Sequence, residues 1–319
     1  MPRHRVTSGR GMRVIFFGTS AFAVPSLERL VERRHDIVAC VTQPDRPRGR
    51  GLHPGPSPVK EAAGRLRLPL SQPPRPDAKA LAPLRPDVGV VIAYGQLIGK
   101  DLLELPVHGM MGVHPSLLPK YRGAAPIAWA LLNGEAGTGV TIFRLNERLD
   151  AGDVFLQEPA AIQPGEDAEA LSRRLARQGA DALAAVFDQL AAGTARAVPQ
   201  DDAQASLAPK LTKAQGRIEW RQPAEAIERL IRATSPWPGA ATAWHGETLK
   251  VVRARVDDPR ASRHAPGTVT GAEASGIIVA TGQGTLAITE VQPPGRRRMS
   301  VKEFLAGHHI HAGEQLGDA

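Results

Sequence analysis

Apolar and polar positions alternate in two distinct rhythms along the chain. "MRVIFFG" at 12–18 is a mostly apolar run closed by glycine, the pattern of a strand buried on both faces, as parallel strands are. Residues 21–34 follow with Phe22, Val24, Leu27, Leu30 and Val31 at helical spacing and an arginine-rich end that suits the helix dipole. Next come a strand over 36–42, a long loop, a short helix near 58–65 and the strand-like "LRLPL". "PDVGVVIAY" at 86–94 and "GMMGVHP" at 109–115 supply two more buried strands. Strands alternating with helices predict a parallel α/β sheet.

Residues 167–193 place Leu171, Leu175, Leu183, Val186, Phe187 and Leu190 on one stripe between Asp167 and Gly193, which predicts a long surface helix. Gly179 interrupts the stripe at a cost of about 1 kcal/mol relative to alanine, so it marks either a close neighbour or a bend. The texture then changes. Residues 196–214 are polar and lack aromatics, the composition of an interdomain linker. A helix at about 223–234 precedes short alternating runs separated by glycine-containing turns, which predict a small β-barrel or sandwich.

With 319 residues the chain is long for one compact domain and comfortable for two. Forty basic against thirty-two acidic side chains leave a formal charge of +8, which suits a polyanionic partner without requiring one. Cys40 is the only cysteine, so an intramolecular disulfide and a cysteine-rich zinc site are excluded and a reducing cytoplasm is expected. No apolar stretch approaches the roughly 18 to 20 residues that span a bilayer, and no membrane partner is expected. Residues 1–11 are polar and basic and precede a second methionine, Met12, so they are expected to form a disordered extension.

The turn "GTSAFAVP" after the first strand has a single glycine and lacks a dinucleotide fingerprint. Ligands in open α/β sheets gather at the carboxyl ends of strands, where His114 lies. After it, Ser116, Leu117, Leu118 and Pro119 offer a hydroxyl and an apolar wall, the makings of a small-molecule cleft. The turn "LDAGD" brings Asp150, either as an acid that orients the histidine or as the closing residue of an Asx-type turn. An isolated histidine at a loop edge is equally satisfied by a backbone carbonyl, and these alternatives stay open on the residues alone.

Taken together, "FFGTSAFAVPSL", "VTQPDRPRGRG", "VVIAYG", "VHPSLLPKYRGAAPI", "GVTIFRLNERLDAGDV", "KLTKAQGRIEW" and "IRATSPWPGA" resemble the methionyl-tRNA formyltransferase family from Met12 to near the C-terminus. The resemblance implies a Rossmann-like parallel-sheet formyltransferase domain over 12–195, the linker 196–214, and a small OB-like β-barrel C-terminal domain over 215–319 that binds tRNA. It implies formyl transfer from 10-formyltetrahydrofolate to the amino group of methionyl initiator tRNA, by a monomer without a metal. His114 and Asp150 match two members of the family's catalytic trio; the third, an asparagine two residues before the histidine, is Gly112 here. Residues i and i+2 of a strand share a face, so an asparagine at 112 would point where His114 points. Without that donor, slowed transfer is expected, and two alternatives follow: a tRNA-binding homologue with weak or no transfer, or another folate-dependent formyltransferase or hydrolase.

For folate, the resemblance points to Ser116, Leu117, Leu118 and Pro119, with Tyr94 and Gly95 lining the pterin pocket. For tRNA it points to the basic loop with Arg46, Arg48 and Arg50, and to Lys210, Lys213, Arg296, Arg297 and Arg298 as a phosphate track. Trp220, Trp237 and Trp244 are expected in the core, and "GHHIHAG" lacks an adjacent acidic or cysteine ligand for a metal.

Overall fold

A computed structural model describes residues 11–48, 53–260 and 262–317. The chain forms two compact units: one of residues up to Gly123 with Thr138–Ala161 and Ser172–Ala208, the other of Ala124–Gly137, Ile162–Leu171 and the chain from Pro209 on. The expected extension 1–11 lies outside the described residues except for Gly11.

The first unit is built on a seven-stranded sheet in the order β5-β2-β1-β6-β7-β8-β9. Its elements begin with β1 (Arg13–Gly18), α1 (Val24–Glu32) and β2 (Asp36–Val41). A short hairpin follows, β3 (Arg46–Arg48) and β4 (His53–Gly55), then α2 (Pro58–Arg65), β5 (Leu70–Ser71), α3 (Ala78–Leu81) and β6 (Val88–Ile92). After α4 (Lys100–Leu103) comes β7 (Met110–His114). The sheet is completed by β8 (Gly137–Arg144) and β9 (Val154–Ala161), after which α6 (Ala168–Ala191) begins; α5 (Pro126–Leu132), between β7 and β8 in the chain, belongs to the second unit.

β1 pairs in parallel with β2 on one side and β6 on the other, and β6 in parallel with β7. Five of the six residues of β1 are buried, because both faces of a central parallel strand are covered. On one face Ile15 and Phe17 pack with Val41, Leu81, Tyr94 and Met110. β8 runs antiparallel to β7, pairing Gly112 with Phe143 and His114 with Thr141.

The expected helix over 21–34 is a 3-10 turn at Ala21–Ala23 followed by α1, which starts where Pro25, lacking an N–H, fits the first turn. It ends before Arg34, whose φ of 60° leaves the helical region. Gly179 marks a close neighbour. A Cβ there would stand 2.7 Å from Val113 Cγ1, so glycine lets α6 lie close on β7. The loop expected over 43–57 contains the antiparallel hairpin of β3 and β4.

The segment read as a linker is a packed part of the first unit up to Ala208. Val198 and Val154 exchange two backbone hydrogen bonds at the start of β9, and Arg122 and Ala208 are bonded backbone to backbone. Tertiary hydrogen bonds, which leave no periodicity in the sequence, order it.

The second unit carries the strands β10 (Ala240–Trp244), β11 (Glu247–Asp258), β12 (Val269–Glu273), β13 (Gly276–Ala280) and β14 (Thr285–Gln292) in the order β10-β11-β14-β13-β12. β15 (Met299–Ser300) pairs with β14. Register shifts bend the long β11. The last residues close the sheet: Leu316 donates its N–H to Gly267 beside β12, and Gly317 donates to Ala243 in β10. Inside sit Val251, Val269, Ile277, Ile288 and Phe304, with α7 (Ala224–Ala233) burying Ile227 and Ile231 against them. α8 (Val301–Leu305) opens on a capping box between Ser300 and Glu303.

Candidate active site

β7 ends at His114, which is 6% exposed. Its Nε2 lies 2.8 Å from the carbonyl oxygen of Tyr121. A carbonyl can only accept, so in the neutral ring Nε2 carries the proton and Nδ1 the lone pair. Nδ1 stands 3.7 Å from Asp150 Oδ2, too far for a hydrogen bond and close enough to hold a charge. Burial pushes the imidazole below its ordinary value, while the Asp150 carboxylate and the Tyr121 carbonyl pull it part of the way back.

Asp150 reaches this place from the turn between β8 and β9, in a left-handed conformation with φ of 48°. Its Oδ2 accepts the N–H of Gly123 at 2.8 Å, so the carboxylate is tied to the loop after His114 and does not close a local Asx-type turn. The turn has no room for a side chain at Gly152, where a Cβ would fall 1.7 Å from the Arg144 carbonyl oxygen.

The loop between His114 and Gly123 is pinned from two strands. The buried Thr141 hydroxyl of β8 donates to Ser116 O at 2.6 Å and accepts from Leu118 N at 3.1 Å. Gln157 of β9 donates to Leu118 O at 2.7 Å. The Ser116 hydroxyl, expected to face a ligand, is fully buried and donates to Lys120 O at 2.6 Å. Leu118 is also buried. These two side chains therefore shape the loop from beneath, and Leu117 and Pro119, half-buried, remain at its surface.

Gly112 has no space beside it. A Cβ would lie 2.4 Å from Phe143 Cε1 and 2.9 Å from Leu145 Cδ1, so apolar side chains from β8 and the residue after it occupy the direction an asparagine would take. The Phe143 ring stands edge-on to His114 with centroids 6.4 Å apart.

Between β1 and β6 the chain changes direction across the sheet, the place where open α/β sheets leave a crevice. There Tyr94 O accepts from Thr19 Oγ1 at 2.9 Å and from Gln43 Nε2 at 2.7 Å, joining the loops that follow β1, β2 and β6. Both lone pairs are engaged, and the Tyr94 ring packs edge-on against Phe17 in the core. Tyr94, expected to line the pterin pocket, thus holds the loops of the crevice together through its carbonyl. Gly95 is exposed at the strand end.

The basic residues divide. Arg46 and Arg48 lie in β3, and Arg50 falls outside the described residues. Lys210, Lys213 and Arg296 are exposed. Arg297 pairs with Glu303 at 2.8 Å and Arg298 with Glu290, so two of the five residues of the expected phosphate track already face carboxylates. Trp220 is buried and donates to Thr242 Oγ1 at 2.9 Å, and Trp244 packs edge-on against Phe304. Trp237, expected in the core, is 50% exposed. His308 stacks on Phe304 at 4.4 Å. Among the described residues no three potential ligands gather for a metal, and no helix is long and apolar enough to cross a membrane.

Sequence reasoning singled out His114, Asp150 and Gly112 but missed Thr141, Gln157 and the Tyr121 carbonyl. Thr141 alone left a signal, a polar residue within the apolar run "GVTIF".

Residues 12–187 match the family model described as formyl transferase, and 210–309 match the formyl transferase C-terminal domain. The chain is 44% identical over 311 residues to a methionyl-tRNA formyltransferase of Geobacter metallireducens, covering 96% of this chain and 99% of that protein. A methionyl-tRNA formyltransferase of Roseiflexus castenholzii is 46% identical with the same coverage. Among solved structures, HypX from Aquifex aeolicus in complex with tetrahydrofolic acid superposes with a TM-score of 0.66 at 18% identity, covering 92% of this chain and 47% of that one. WlaRD, a sugar 3N-formyl transferase with dTdp and 5-N-formyl-THF, gives 0.66 at 15% identity over 91% of this chain and 100% of that one.

Proposed function

The chain belongs to the methionyl-tRNA formyltransferases, and from that premise we propose that His114 moves the protons of the transfer and Asp150 steadies the charge this puts on the ring. The enzyme formylates the amino group of methionyl initiator tRNA with a tetrahydrofolate-derived donor. For the donor we take 10-formyltetrahydrofolate, and for the working state a cytoplasmic monomer.

The methionyl nitrogen attacks the formyl carbon, a tetrahedral centre forms, and the bond from that carbon to the folate nitrogen breaks. One proton leaves the attacking nitrogen and one reaches the departing nitrogen. With Nε2 fixed on Tyr121 O, Nδ1 of His114 is the ring nitrogen free to take that proton and return it. Its lowered pKa keeps it neutral near pH 7, ready to accept. Asp150, at 3.7 Å, steadies the imidazolium that forms between the two transfers. This pairing of a fixed tautomer with a facing carboxylate is the observation that carries the reading.

Leu117 and Pro119 at the loop surface and Gly95 at the crevice are the remaining candidates for folate contact. Arg46, Arg48 and Arg50, with Lys210, Lys213 and Arg296, are the candidates for tRNA phosphates, Arg297 and Arg298 contributing only if they exchange their carboxylates. Where Gly112 stands, the neighbouring Phe143 and Leu145 side chains supply no donor to the transfer.

Single-turnover transfer to methionyl initiator tRNA tests the assignment. His114→Ala and Asp150→Asn are each expected to lower the rate by about 100-fold or more with tRNA affinity retained. Rates within twofold of the parent would refute it. Transfer to small amine acceptors that equals transfer to the tRNA would instead favour another folate-dependent formyltransferase.

A further inference from the structure

The turn that carries Asp150 is hydrogen-bonded by Gln200, a residue outside both segments matched by the family models. Gln200 follows the bridge between Val198 and Val154, which brings it beside the Asp150 turn. Its amide nitrogen donates to Asp150 O at 2.9 Å and to Gly152 O at 2.7 Å. Its amide oxygen accepts from Arg122 Nε at 3.1 Å and Nη2 at 2.7 Å. The side chain thus spends two donors on the turn that carries Asp150 and two lone pairs on the loop that follows His114. Turning the amide over would set oxygen against two carbonyls and nitrogen against a guanidinium, so the network admits one orientation. Arg122 is itself buried and pairs with Asp202 at 2.7 Å, and Asp202 also pairs with Arg148, two residues before Asp150.

We propose that Gln200 is a positioning residue for formyl transfer: its amide fixes the left-handed Asp150 turn against the Arg122 loop, and so sets the distance between the Asp150 carboxylate and His114 Nδ1. The inference rests on the reading of His114 and Asp150 given above. Asp150 has one further anchor to that loop, the Gly123 N–H. With the amide removed, its carbonyl and that of Gly152 lose their shared donor, and the turn is free to leave the left-handed region, carrying the carboxylate with it. An amide is needed at this position for a geometric reason: a carboxylate of the same shape could still bind Arg122 but would point lone pairs at both carbonyls.

Gln200→Met keeps the volume and removes every hydrogen bond, while Gln200→Glu keeps the contact to Arg122 alone. Both are expected to lower single-turnover transfer at least tenfold while the apparent affinities for folate and tRNA stay within twofold. Leu30→Val in the buried face of α1 serves as a variant destabilised away from the site, and it is expected to keep its rate per folded molecule. A second reading needs no turnover: histidine NMR, with His114 assigned by its loss in His114→Gln. In Gln200→Met the carboxylate that raises the His114 midpoint has moved, so that midpoint falls below the parent's. If Gln200→Met transfers within twofold of the parent, or its His114 midpoint stays at or above the parent's, Gln200 does not position Asp150. If Asp150→Asn itself transfers at the parental rate, it is the assignment of Asp150 that fails.

Discussion

Replacing Gly112 by asparagine puts the missing donor in competition with the packing that has taken its place. An oxyanion donor is worth about 2.7–4 kcal/mol, roughly 100- to 1000-fold in turnover. Against that, the new Cβ alone would stand 2.4 Å from Phe143 Cε1 and 2.8 Å from Cζ, inside any real contact distance. Phe143 is buried opposite Gly112 across the β7–β8 ladder, so its ring can yield only by displacing neighbours. Such overpacking costs about 1–3 kcal/mol in stability. A catalytic group displaced by about 1 Å can forfeit about 100-fold, the same order as the gain. Gly112→Asn alone is therefore expected to lower Tm by several degrees and to raise transfer much less than 100-fold. Gly112→Asn with Phe143→Val frees the ring's volume and is expected to transfer at least tenfold faster than Phe143→Val alone. Single-turnover formylation and thermal unfolding, run on the four proteins, read both effects. A full 100-fold gain in the single variant without loss of Tm would refute the steric argument. A double variant no faster than Phe143→Val would refute the missing donor.

Further outcomes are expected. His114 is buried and His35 half-buried, and desolvation chiefly lowers both imidazoles from 6.5, so the unfolded chain binds more protons than the folded one. Stability is then complete above about 6.5 and is lost as pH falls toward each lowered pKa. Tm should drop from pH 7 to 5, and His35→Gln should flatten part of the slope; equal slopes would count against it. Burial pushes the Cys40 thiol up to about 12, so a thiol reagent should find nothing in the native protein at neutral pH and one group after denaturation. Arg50→Ala should weaken tRNA binding and reduce its log–log salt slope by about 0.7–0.9 per lost phosphate contact; an unchanged slope would remove Arg50 from the interface.

The strands of the central sheet were legible because parallel strands buried on both faces are written as unbroken apolar runs, as in "RVIFFG" and "MMGVH". α6 was legible from its periodicity. α5, "PIAWALL", was missed because a nearly uniform apolar run has no polar face to reveal a period. α8 carried a readable signal, the Ser300–Glu303 capping box, in a helix too short to show periodicity. At the site, His114 and Asp150 were visible through their motifs, and the vacancy at Gly112 through its spacing. That Phe143 fills the vacancy could not be read, since it depends on the pairing of β7 with β8. Trp237 misled because aromatic residues are usually interior; it lies in a proline-rich turn that presents it to solvent.

The segment from Val198 to Ala208 has a consequence for how the enzyme is made and cut. On the ribosome, the histidine loop and the aspartate turn emerge many residues before Gln200 and Ser206, the latter accepting the Tyr121 N–H and the Arg122 N–H through its side chain and carbonyl. Until then both motifs are present but untethered. A fragment ended at residue 195, where the sequence alone would end the catalytic domain, keeps each of those motifs and omits the segment that fastens them. One ended after Ala208 keeps the fastening, and the difference between the two fragments isolates what thirteen residues outside the motifs contribute to the centre.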